Sequence, residues 1–164
     1  MIKAATIGGF FCSHAVWSLA DGEPVIPILA YLDREGARMM QRIVADDYGD
    51  SVRQGQEQLS APELDAETAC LVYDGHVTLD DVARDALIIE LRGEPERQSS
   101  GVITLPYQPA TTGVFSIHRP QWVSWDGPVT CAIEQAIEAF FQGAESHEKG
   151  WAVWQQNVFR DGDS

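Results

Sequence analysis

The clearest pattern of apolar and polar positions runs from Ala69 to Arg92, ACLVYDGHVTLDDVARDALIIELR, which predicts three consecutive strands. Ala69 to Tyr73 and His76 to Leu79 are short β-rich runs separated by Asp74-Gly75, a pair that supplies the positive φ angles of a type I′ hairpin turn. A two-residue loop there sets Tyr73 opposite His76 and Val72 opposite Val77, and directly opposed residues share a sheet face. One face then carries Cys70, Val72, Val77 and Leu79 as a dry apolar set. The other carries Leu71, Tyr73, His76 and Thr78. After the polar connection Asp80 to Asp85, the nearly all-apolar run Ala86 to Leu91 predicts a central strand covered on most of both sides.

Upstream, residues 1 to 13 predict an initial strand broken by Gly8-Gly9, and His14 to Leu19 a second strand. Val25 to Leu32 predicts a third, which Pro24 and Pro27 place at a sheet edge because proline cannot donate to a ladder. Asp33-Arg34-Glu35-Gly36 has the composition of a type I turn. Ala37 to Ala45 fits both a helical stripe (Met39, Met40, Ile43, Val44) and a strand, and the turn before it favours the strand. Asp46 to Leu59 predicts an exposed helix weakened by Gly49 and Gly55. Ser60-Ala61-Pro62-Glu63 has capping-box spacing, as for one further helical turn.

Downstream, GEPERQSSG predicts a loop, and Val102 to Tyr107 and Gly113 to His118 predict two strands limited by Pro106, Pro109 and Pro120. From Thr130 the period becomes helical. Ile133, Ala136, Ile137, Phe140 and Phe141 fall on one face, with Thr130 as N-cap and Gly143 as stop. A second helical stripe holds His147, Trp151, Trp154 and Val158. Runs of strands followed by terminal helices predict a single α+β domain over 1–164: a mainly antiparallel sheet of about six to eight strands built from hairpins, with two C-terminal helices packed on one face. A chain of 164 residues buries roughly 70% of its unfolded surface, enough for a core without staples.

Charge narrows the function classes. The net charge is −14, and Ser60 to Glu96 holds ten acids against Arg84 and Arg92. Such a surface repels phosphate backbones and argues against nucleic-acid binding, while it would attract a basic protein. Cys12, Cys70 and Cys131 are an odd number without CxxC spacing, which fits a reducing cytoplasm better than a disulfide framework or a zinc knuckle. The apolar run from Lys3 to Ala20 superficially resembles a secretory leader, but His14, Trp17 and the bulky Phe11 before Cys12 argue against one. No transmembrane helix is expected, because no stretch offers eighteen uninterrupted apolar residues.

Chemistry has three places to sit. Cys12 and His14, two apart on one expected strand, could form a nucleophile pair. Tyr73, Asp74 and His76 at the expected hairpin tip could join a general base to a carboxylate and a phenol. Tyr107, His118, Arg119, Trp122 and Trp125 combine residue types found both at interface hot spots and in small-molecule clefts. Five tryptophans exceed what a core of this size needs, so some of Trp122, Trp125, Trp151 and Trp154 are expected at a groove or oligomer interface. The four histidines show no metal-ligand spacing, and no phosphate-loop motif occurs, so neither metal nor cofactor is expected. The leading functional expectation is a non-catalytic, acidic protein-interaction module, inhibitor or immunity-like, for a basic partner. The alternative is a small-molecule-binding protein or enzyme with its site near His118, Arg119 and Trp122, and a third is the subunit of a homo-oligomer.

Overall fold

The computed structural model describes residues 1–128 and 130–160. These form four helices and seven strands: α1 (Ile2–Ala20), β1 (Ile28–Leu32), β2 (Arg38–Arg42), α2 (Tyr48–Leu59), β3 (Thr68–Leu79), β4 (Val82–Gly93), β5 (Ser99–Gln108), β6 (Ser116–Ile117), β7 (Gln121–Asp126), α3 (Ile133–Ser146) and α4 (Glu148–Gln156). The strands make one antiparallel sheet in the order β2-β1-β3-β4-β5-β6, with β7 also paired to β5. The fold is α+β, as the pattern predicts.

The N-terminal segment is a helix, not two strands. Ten of its nineteen residues are buried, because the sheet, α3 and α4 enclose it on most sides. Gly8 and Gly9 are helix–helix and helix–sheet contact points. A Cβ on Gly8 would press 2.7 Å from Leu91, and one on Gly9 would overlap the Phe140 carbonyl. Gly143, expected to stop α3, instead lies inside its last turn with no room for a Cβ against the Thr6 carbonyl. Gly150 lies equally close to the Ser13 carbonyl, and Ser13 Oγ donates to Ala144 O at 2.9 Å. The C-terminal helices therefore share one sheet face with α1, which is the helix pressed directly on β3 and β4.

The central hairpin also differs from expectation. Asp74-Gly75 continues β3, pairing with Leu87 and Ala86, and the reversal occurs at Asp80-Asp81, both with positive φ (50° and 61°). Aspartate tolerates that region better than most residues, so the turn needs no glycine. A continuous strand puts alternate residues on opposite faces. Cys70 and Val72 therefore face the helices, whereas Leu71 and Tyr73 belong to a smaller core under α2 with Leu29, Ile43, Leu59 and Ala69. Val77 and Leu79, spaced evenly from Tyr73, fall on its face rather than with Cys70.

Smaller corrections follow the same physics. β1 is interior, flanked by β2 and β3, since Pro24 and Pro27 precede the strand and leave its ladder intact. The Ala37 to Ala45 segment is strand β2, the free edge. Asp47 caps α2 by accepting from Asp50 N at 2.8 Å, and Ser60 to Glu63 forms turns rather than a helix. Gly55 of α2 is a contact point over Leu71, not a weak spot. Gly113 to His118 yields only the two-residue β6, and the tryptophan segment, not predicted as strand, forms β7. The N-cap of α3 is Ala132, not Thr130, and α4 ends before Val158, which forms a parallel bridge to Ile117.

Candidate functional site: a cleft between β7 and α3

Strand β7 carries an irregularity that aims its aromatic residues. Trp122 pairs with Ile103 and Ser124 with Val102, so the register shifts by one residue and leaves Val123 extra and 63% exposed. In a regular strand, Trp122 and Trp125, three apart, would point to opposite faces. The bulge brings both onto the helix face, with ring centroids 4.9 Å apart and both packed against the main core. Helix α3 crosses above them, and the space between is a cleft of about 220 Å³ lined by Ile103, Arg119, Pro120, Trp122, Ile137, Phe140 and Phe141. The exposed guanidinium of Arg119 is the lining's one charge, and Arg119 makes no ion pair among the described residues. The buried indole N–H of Trp122 has no acceptor among the described residues. An unpaired buried donor of this kind costs about 1–3 kcal/mol.

A second group of polar side chains lies farther along the sheet, on the helix face where β3 and β4 extend past α1. Tyr107 Oη donates to Asp74 Oδ1 at 2.8 Å, and His76 Nε2 lies 3.1 Å from Asp85 Oδ1. Burial pushes the Asp74 carboxyl up, partly opposed by the Tyr107 bond and reinforced by Asp85. Burial and Asp74 likewise push the Tyr107 phenol up. Raising a carboxyl favours its protonated form, the form that can act as an acid. His76, however, is 77% exposed, and none of the described cavities is lined by this set.

The expected site residues thus scatter over three places. Arg119 and Trp122 line the cleft, and Trp125 packs on Trp122 without lining it. His118 lies beside it, its ring stacked on Phe159 at 4.7 Å. Tyr107 and His76 join Asp74 and Asp85. Tyr73, expected to share a face with His76, lies on the opposite one and donates to Glu90 Oε2 at 2.8 Å beneath α2. Cys12 and His14 are separated too, because residues two apart on a helix diverge. Cys12 is fully buried beside Cys70, and burial raises both thiols, that of Cys70 to about 12. Thiols held protonated in this way are inert.

No family model, curated protein or solved structure matches the chain. The residues that sequence reasoning missed are those α3 lends to the cleft: Ile137, Phe140 and Phe141. Their signal was the width of the α3 apolar stripe, broader than one buried face requires; Ile137 stays 38% exposed. Among the described residues no group of three or more His, Cys, Asp or Glu could hold a metal, and no helix is long and apolar enough to cross a membrane.

Proposed function

We propose that the chain binds a small monoanion with an apolar or aromatic body, seated in the β7–α3 cleft with its carboxylate against Arg119. The observation that carries this reading is the lining itself: an apolar recess whose one charge is an arginine without an ion-pair partner among the described residues, in a chain of net charge −14. Ligand sites have this composition, mostly apolar walls with a few polar groups that fix orientation. Arginine suits a carboxylate because its planar fork can donate two parallel hydrogen bonds.

The interaction-module reading has less support. The acids between Ser60 and Glu96 are partly used within the fold: Arg34 bonds Asp65 at 2.7 Å and Glu96 at 3.0 Å, and the Met1 ammonium bonds Glu94 at 2.5 Å. Those carboxylates are not an open field for a basic partner.

The test is a titration followed by tryptophan fluorescence, comparing 3-phenylpropanoate with 3-phenylpropanamide. The carboxylate should bind at least tenfold more tightly, a difference of about 1.4 kcal/mol. The Arg119→Gln variant should erase the preference. Equal binding of acid and amide, or an unchanged preference in the variant, would overturn the proposal.

A further inference from the structure

At the other edge of the sheet, three elements bring together basic and aromatic side chains. Helix α1 presents Phe10, His14 and Trp17 at helical spacing on one face. His147, the N-cap of α4, accepts from Gly150 N at 2.9 Å through Nδ1 and meets His14 Nδ1 through Nε2 at 3.1 Å. With its Nδ1 occupied as an acceptor, neutral His147 carries its proton on Nε2 and donates to His14 Nδ1. Neutral His14 then keeps its proton on Nε2, as a donor not engaged with His147. Strand β2, the free edge, places Arg38 and Arg42 on the same face by alternation. Arg38 lies 3.6 Å over the Phe10 ring, and Lys149 Nζ lies 5.0 Å from the Trp17 ring. Three of the eleven Lys and Arg residues and two of the four histidines of this acidic chain share the corner.

A small recess of about 70 Å³ opens there, its polar lining His14, Ser18, Glu23 and Arg42. Within it Arg42 and Glu23 offset one another, so Arg38 and Lys149, the cations beside His147, set the sign. Burial, then His147, then Arg42 hold His14 below its usual value. Burial foremost, with Arg38 and Lys149, does the same to His147. Burial first, and the neighbouring cations after it, disfavour positive charge on both imidazoles, and an anion placed beside them would relieve that.

We propose that this corner binds a phosphate-class tetrahedral oxyanion, free or as the head of a phosphomonoester, held by the Arg42 guanidinium and the His14 imidazole. The site is independent of the cleft at Arg119. Binding of an anion next to His14 favours the imidazolium, so affinity rises as pH falls through the histidine range. His147, Arg38, Arg42 and Lys149 oppose that protonation, and Glu23 and the anion favour it.

Sulfate is the probe for the pH arm, because it keeps its charge between pH 6 and 7.5. The histidine ring ¹H–¹⁵N resonances should shift saturably with sulfate, at least threefold more tightly at pH 6 than at pH 7.5. Arg42→Gln, at an exposed position, should weaken sulfate at least tenfold, while Arg119→Gln should leave it unchanged. Inorganic phosphate and phenyl phosphate separate the sources: tighter binding of the ester with quenching of Trp17 indicates an ester head, and equal binding indicates the free anion. A linear response without saturation, the same shifts with chloride at matched ionic strength, or undiminished binding in Arg42→Gln would overturn the proposal.

Discussion

Helix α3 meets the rest of the molecule in two contrasting ways. On its α1 side the two backbones touch: Gly9 sits under the Phe140 carbonyl and Gly143 under the Thr6 carbonyl, with no room for a Cβ at either. On its β7 side the helix is lined by Ile137, Phe140 and Phe141 and stands off the strand, leaving a cleft of about 220 Å³. One side spends its small residues on close approach, and the other spends large ones on holding a gap open. A fold can place a void beside its tightest contact when the close contact fixes the helix and the other wall consists of side chains too bulky to collapse. Stability therefore concentrates on the α1 side, and the space offered to the proposed ligand lies on the β7 side.

The most severe way to break this contrast is Gly9→Ala. The new methyl meets a backbone carbonyl, which cannot turn aside, so the helices must separate, at a cost of roughly 3 kcal/mol. In a chain of this size that lowers the Tm by roughly 6–12 °C, as calorimetry would read it. Gly49→Ala supplies the opposite sign. That glycine lies in the exposed first turn of α2, where a Cβ would make only an ordinary 3.4 Å contact with Asp47, so the change should stabilise by about 0.5–1 kcal/mol. If both substitutions moved Tm in the same direction, the close packing of α1 on α3 would not be what distinguishes them.

The same crossing has a pH signature at its α4 end. His14 and His147 are both held below their usual value of 6.5, so as pH falls the unfolded chain takes up protons before the folded one. Their contribution to stability is present above about pH 6.5 and is lost on acidification. Asp74, whose carboxyl is pushed up, acts in the opposite sense. The loss of stability between pH 7 and pH 5 should therefore be smaller in His14→Gln than in the parent chain, as denaturant titrations at the two pH values would show. Equal losses would remove the histidine pair from the energetics of the crossing.

How much of this could be read from the chain alone depends on how local the cause is. Helix α3 announces itself through Ile133, Ala136, Phe140 and their polar counterface, and β4 through its apolar run, because one element's burial is written in its own periodicity. Helix α1 is enclosed on so many sides that IKAATIGGFFCSHAVWSLA shows no stripe, and Gly8-Gly9 look like breakers until the partners that need them are placed. Asp74-Gly75 carries a strong turn signal, but β3 and β4 pair for eleven residues, and that ladder outweighs a local preference. The cleft was half legible. Arg119, Trp122 and Trp125 stand close in sequence, whereas Phe140 and Phe141 reach them only through the crossing with α1, and the register shift that turns both tryptophans inward has no signal of its own in the sequence.

On the open side of α3, substitutions should alter binding while stability changes little. Ile137→Phe extends a side chain that is already 38% exposed into free space, so it should shift stability by less than about 1 kcal/mol. It should also abolish the quenching of tryptophan fluorescence by 3-phenylpropanoate, because the ligand's body and the new ring compete for one volume. A loss of stability as large as that of Gly9→Ala would mean the two sides of α3 are packed alike.

The smallest structural effect belongs to Arg119→Gln. The guanidinium is exposed and makes no ion pair among the described residues, so its removal should leave stability within about 0.5 kcal/mol of the parent. Binding of the carboxylate should nonetheless fall at least tenfold, with the neutral amide unaffected, because in the proposed complex the arginine meets the anionic head and among the described residues it holds no ion pair that supports the fold. A variant that lost stability and carboxylate binding together would show instead that Arg119 supports the β6–β7 turn, and that the cleft recognises its ligand by shape rather than by charge.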